Sequence, residues 1–158
     1  MAKLDAAIAK GQIKKALQIA TAWRDKDNTD LLGLIALGRA YLASGQKDAA
    51  ARAFGGILDL YPSRADMRRL AGNWLELAGT HGLELAADTY ATAMEQRPDH
   101  PSVYHQLAMV LVRLGRHREA FDTIMTGRTA RRASGRFRGV RRILDEDAEI
   151  IGSLWAIA

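Results

Sequence analysis

The chain has 158 residues, 48% apolar and 26% charged, with three prolines and no cysteine. That composition reads as one soluble domain large enough for a real core; it excludes disulfides, thiolate catalysis and cysteine-based zinc sites, and no apolar run approaches the roughly 18 residues of a membrane span. The net charge of +5 is unevenly placed: between Arg113 and Arg142 ten arginines face only Glu119 and Asp122, while the remainder carries 13 basic and 16 acidic residues.

Few β-branched residues and abundant alanine and leucine favour helix throughout. Residues 1–30 read as a partial unit, with Gly11 as a break, Ala16 and Ala20 on one face, and Trp23 where a small residue is expected. The opening MAKLDAAIAKGQIKKAL has no signal-peptide core. The chain therefore reads as untargeted and cytoplasmic by default; a segment of a longer periplasmic or extracellular protein would read the same.

Residues 31–64 form the clearest unit. Leu34, Leu37, Gly38 and Tyr41 share one face of a first helix, Gly45 breaks it, Ala50, Phe54 and Ile57 share one face of a second, and Pro62 stops the pair. In residues 65–98 the same slots hold Arg68, Ala71, Gly72, Leu75, Gly79, Ala86, Tyr90, Ala93 and Pro98. Pro62 and Pro98 are two residues further apart than a regular repeat of about 34, and the extra residues are expected in the turn GTHGLEL. In residues 101–132 the slots hold Tyr104, Leu107, Ala108, Leu111, Gly115, Ala120 and Ile124, with Arg132 in place of the closing proline. A last helix is expected over 138–157, striped by Val140, Leu144, Ile151 and Trp155, with Ile150, Leu154 and Ile157 widening the stripe near its end. Trp23 and Trp74 read as packing between helices. Trp155 lies where the helix either folds over the last unit or meets another chain.

The spacing of large and small residues in 31–64 resembles the tetratricopeptide repeat, with Leu34 in the slot usually held by tryptophan. The resemblance extends over about four-fifths of the chain. The segments PSRADMRRLAG, RPDHPSVYHQLA and SGRFRGVRRIL also resemble helical-repeat segments of large bacterial multidomain proteins with von Willebrand-type domains. The tetratricopeptide resemblance implies an all-α fold: a right-handed α-α superhelix with a C-terminal capping helix, and a concave surface lined by first helices. In the family, proteins or peptides bind there. Carried over, the concave slots hold Leu32, Ile35, Arg39, Leu42 and Ala43; then Asp66, Arg69, Asn73, Glu76 and Leu77; then Ser102, His105, Met109, Val112 and Arg113. Arg39, Asp66, Arg69, Asn73, Glu76, His105, Met109 and Arg113 are the expected partner contacts. The clamp that some members use for chaperone carboxylates is absent, because its slots hold Ile35, Arg39, Leu70, Ser102 and Gln106 and only Arg39 is cationic.

No catalytic, metal or cofactor motif emerges. His81, His100, His105 and His117 are scattered, Glu76 and Glu84 fall on either side of a helix break, and no phosphate-binding or nucleophile motif occurs. The expectation is a non-enzymatic interaction scaffold without cofactor, with self-association through the last helix as a further expectation. The competing reading is nucleic-acid or anionic-partner binding through Arg128, Arg131, Arg132, Arg136, Arg138, Arg141 and Arg142. Against it, Phe137 is the only aromatic nearby, and Asp145, Glu146, Asp147 and Glu149 follow closely. A connector held by internal ion pairs, such as Arg141 with Asp145 and a break at Ser134-Gly135, is preferred.

Overall fold

The computed structural model describes the backbone of residues 1–134 and 140–157 and the side chains of residues 1–130 and 142–157. Among the described residues are nine helices and no strand: α1 (Ala2–Ala9), α2 (Ile13–Lys26), α3 (Leu31–Ala43), α4 (Lys47–Leu60), α5 (Ala65–Leu75), α6 (Gly79–Gln96), α7 (Pro101–Arg113), α8 (His117–Ser134) and α9 (Val140–Ile157). Each helix packs on the one before and the one after it, and beyond that, among the described residues, only α1 with α3, α4 with α6 and α7 with α9 pack substantially. Contacts so close to the diagonal define a solenoid, here a right-handed α-α superhelix.

One turn recurs. Gly11, Gly45 and Gly115 take φ of +66°, +78° and +75°. The amide just after each glycine donates to a carbonyl five residues back: Gln12 to Ala7, Gln46 to Tyr41 and Arg116 to Leu111. This is the Schellman closure of a helix, and it favours glycine because the left-handed conformation crowds a Cβ.

The turn at Gly79 differs, and it corrects an expectation. Gly79 has φ +76° but already begins α6, so GTHGLEL is helix rather than an enlarged turn, and His81 lies on that helix. The two extra residues are distributed along the pair: α5 has 11 residues and α6 has 18, against 13 and 14 in α3 and α4. Gly82 permits this. A Cβ there would lie 2.3 Å from the Leu75 carbonyl oxygen, so α6 begins directly against the last turn of α5. In the next pair, α8 runs through Arg132 to Ser134, because arginine keeps the amide that proline would remove. The expected break at Ser134-Gly135 and the start of the last helix at residue 138 involve residues 135–139, outside the described residues.

Small residues admit large ones inside each pair. A Cβ on Gly38 would lie 2.2 Å from the Phe54 ring, and one on Gly72 would lie 2.4 Å from the Tyr90 ring. In α7–α8 a third such contact appears with the roles reversed: Tyr104 on the first helix fills the space over Gly127, whose Cβ would meet it at 2.6 Å. Trp74 stacks on Phe54 at 5.5 Å between ring centroids and joins successive pairs. Trp23 lies against Gly33 and donates from Nε1 to Asp30 Oδ2 at 2.7 Å. Both tryptophans pack between helices, as their positions suggested. Helix α9 closes the row with Leu144, Ala148 and Ile151 buried, and Trp155 rests on Phe121 at 5.6 Å.

Candidate partner-binding face

The first helices of the pairs, α3, α5 and α7, carry the residues singled out as ligand-facing. The structure joins four of them, Arg69, Asn73, Glu76 and Arg113, into one polar chain across α5, α6 and α7. Its hydrogen-bond directions follow from the arginine end, because guanidinium can only donate. Arg69 Nε donates to Gln106 Oε1 at 2.8 Å, which orients the amide so that Gln106 Nε2 donates to Asn73 Oδ1 at 2.7 Å. The single Tyr90 hydroxyl proton then lies between Asn73 Oδ1 at 2.6 Å and Glu76 Oε1 at 2.7 Å. The other Glu76 oxygen accepts from Arg113 Nη1 at 2.7 Å, and the Glu76 carbonyl from Arg113 Nη2 at 3.1 Å. Burial and the Glu76 carboxylate push the Tyr90 hydroxyl far above the ordinary phenol range, so it remains a donor at any physiological pH.

The other expected contacts stand apart from this chain. Arg39 pairs with Asp5 at 2.6 Å and lies over the Trp74 ring at 5.9 Å. Asp66 is exposed and bound to Arg64, whose hydrogen bond holds its carboxyl below the usual range. His105 Nδ1 lies 2.6 Å from Asp147 Oδ2, which ties α7 to α9. Met109 is half-buried against the core. Leu32 and Leu77 are 49% and 55% exposed and provide apolar surface at two of the expected slots, whereas Ile35 is buried. Glu76 and Glu84, weighed above as a carboxylate pair, have separate partners, since Glu84 lies 3.9 Å from His81.

Arg39, Arg64, Arg97 and Arg113 each hold a carboxylate. Arg69 has no ion pair among the described residues; it bonds to the neutral amide of Gln106 and to His100 Nε2 at 3.2 Å. Burial, then Arg69 and Arg97, depress the His100 pKa, which keeps the imidazole an acceptor. Beside them opens a pocket of about 480 Å³ lined by Arg64, Asp66, Arg69, Gln96, Arg97 and His100 among others. Gln106 and His100 were not among the expected contacts. Their role depends on the lateral offset of α5 and α7, which periodicity within one helix does not report.

In the basic stretch, Arg128 Nε pairs with Asp145 Oδ1 at 2.9 Å and Arg142 Nε with Glu146 Oε1 at 3.0 Å. Asp145 thus reaches back to α8. Arg131 and Arg132 lie on the α8 backbone but their side chains, like Arg136, Phe137, Arg138 and Arg141, are outside those described, and so is the Arg141–Asp145 pairing. Among the described residues no helix is long and apolar enough to cross a membrane.

No protein-family model matches the chain. Solved structures do match it. MamA aligns with a TM-score of 0.55 at 16% identity, over 97% of this chain and 94% of that one. The TPR2B domain in the pHsp70 complex of yeast Sti1 aligns at 0.56 and 17%, over 73% and 90%. The Yersinia enterocolitica type III secretion chaperone SycD, in complex with a peptide of the translocator YopD, aligns at 0.56 and 18%, over 77% and 92%. In sequence, the chain is 31% identical over 113 residues to the DnaJ protein P58IPK homolog B of Oryza sativa subsp. japonica, covering 63% of this chain. It spans about a quarter of that protein, 24% of its length. The fold is that of the tetratricopeptide-repeat solenoids.

Proposed function

We propose that the protein is a non-enzymatic scaffold that binds a segment of a protein partner along the face formed by α3, α5 and α7. The observation that carries this reading is the ordered polar chain from Arg69 to Arg113, with exposed Leu32 and Leu77 at two further expected slots. Side chains locked to one another hold fixed geometry, which lowers the ordering cost of binding. The solved complexes of Sti1 with pHsp70 and SycD with a YopD peptide support the reading, since their solenoids share this fold. The charge of Arg69, with neutral partners beside a pocket, favours an acidic residue in the bound segment.

The test is a peptide-display selection against wild-type protein, with binders measured against an Arg69→Glu/Arg113→Glu variant of unchanged helical content. Selected peptides should be acidic and should lose at least about tenfold in affinity, or about 1.4 kcal/mol. Equal binding to both proteins would remove this face from the account.

The alternative, nucleic-acid or anionic-partner binding by the 128–142 stretch, has less support. Arg128 and Arg142 already hold carboxylates, and a phosphate would have to compete with them.

A further inference from the structure

The pocket of about 480 Å³ beside Arg69 is lined by the first turns of α5 and α7 and the last turn of α6. Buried Ala65, Ala93 and Val103 give it apolar wall. Of its three guanidiniums, Arg64 is held by Asp66 and Arg97 by Asp99, so two are already neutralised. Arg69 is not. Its Nε donates to Gln106 and its Nη1 to His100, and its Nη2 has no hydrogen bond among the described residues.

We propose that this pocket seats the side-chain carboxylate of an acidic residue between Arg69 and His100, and that His100 takes up a proton as the carboxylate enters. Arg69 joins this seat to the polar chain, so the seat presupposes the partner face proposed above. The apolar wall suits the methylenes of such a side chain, which a bare inorganic anion lacks. One uncompensated guanidinium matches one negative charge, and a neutral ligand would leave it without a counterion. In the unliganded protein the His100 Nε2 lone pair accepts from Arg69 Nη1. Burial, then Arg69 and Arg97, disfavour a charge on that ring, and Asp99 only partly opposes them. Arg64 and Asp66, which line the same pocket, offset each other. An arriving carboxylate becomes the acceptor for Arg69 Nη1 and Nη2 in a charge-assisted pair. That frees His100 Nε2. The ring can then bind a proton from solvent and donate Nε2–H to the same carboxylate, whose charge offsets the cations that opposed it.

The probe is N-acetylglutamate amide, with N-acetylglutamine amide as its neutral isostere, followed by NMR at the His100 ring and the Arg69 side chain of the wild-type protein. The glutamate probe should shift both sets of signals and raise the His100 titration midpoint by at least about half a unit. Its affinity should therefore be about threefold or more higher near pH 5.5 than near pH 8. The glutamine probe should do none of this. Arg69→Gln, with helical content unchanged, should lose the glutamate probe. His100→Gln should still bind it but without the pH dependence, and that binding also shows the variant folded. A His100 midpoint unmoved by the glutamate probe overturns the proposal, as does equal binding of the two probes or an unchanged pH dependence in His100→Gln. The probe needs no partner segment, so its result bears on the pocket alone, whereas the peptide selection bears on the face.

Discussion

The Arg69 guanidinium donates from Nη1 to Nε2 of His100 across 3.2 Å, joining α5 to the residue that precedes α7. The contact requires a neutral imidazole protonated at Nδ1, because a protonated ring has no acceptor and would face a cation. Burial and the two arginines lower the His100 pKa in agreement with this geometry. A histidine whose folded pKa is depressed contributes stability that is complete above its unfolded pKa, about 6.5, and is lost as pH falls through the folded value. The melting temperature should therefore fall as the pH is lowered below about 6.5. His100→Gln, which keeps an acceptor without titrating, should flatten that slope; an unchanged slope would place the titration elsewhere.

Gly72 should tolerate no side chain while Tyr90 keeps its ring. Gly72→Ala sets a methyl 2.4 Å from a fully buried ring and should cost about 1–3 kcal/mol. Tyr90→Phe keeps the ring but takes the proton shared by Asn73 and Glu76, at about 1 kcal/mol. The two should be non-additive in a double-mutant cycle by chemical denaturation.

Ile151 and Trp155 should differ as anchors of α9. Ile151 is fully buried, whereas Trp155 is 45% exposed and touches Phe121 with one side of its ring. Ile151→Ala should lower stability by about 2–4 kcal/mol. Trp155→Ala should cost about 1 kcal/mol. Ile150→Ala, at an outward position, should leave the unfolding of the monomer unchanged. Equal losses at all three positions would contradict the seating of α9 described here.

Nucleic-acid affinity should be weak and should vanish near physiological salt, as nonspecific phosphate contacts do. Fluorescence anisotropy with a short duplex and a single strand checks this. Micromolar or tighter binding at about 150 mM salt, abolished by Arg131→Glu/Arg132→Glu, would favour the basic stretch as the functional site.

Much of the fold was legible because the decisive contacts are local. Gly38 and Phe54 lie 16 positions apart on adjacent helices, so a small residue paired with a large one at fixed spacing identifies their contact. The same logic named Tyr104 but overlooked Gly127, because the small partner there stands on the second helix within an arginine-rich segment. The residues of GTHGLEL read as a turn because two glycines usually interrupt a helix; Gly82 is there to avoid the Leu75 carbonyl instead. The structure joins four of the expected contacts into a network that the sequence did not show. Arg69, Asn73, Glu76 and Arg113 came from the concave slots that the tetratricopeptide resemblance implies. Their connection through Gln106, and the pairing of His105 with Asp147 42 positions later, depend on side-chain reach between stacked helices.

The most direct test of the scaffold reading is a backbone amide NMR titration of the wild-type protein with a display-selected peptide. The account predicts shifts concentrated on α3, α5 and α7, with the Arg69, Asn73 and Arg113 neighbourhoods moving most and Arg69→Glu suppressing them. Shifts confined to α4, α6 and α8, with α3, α5 and α7 unmoved, would contradict it.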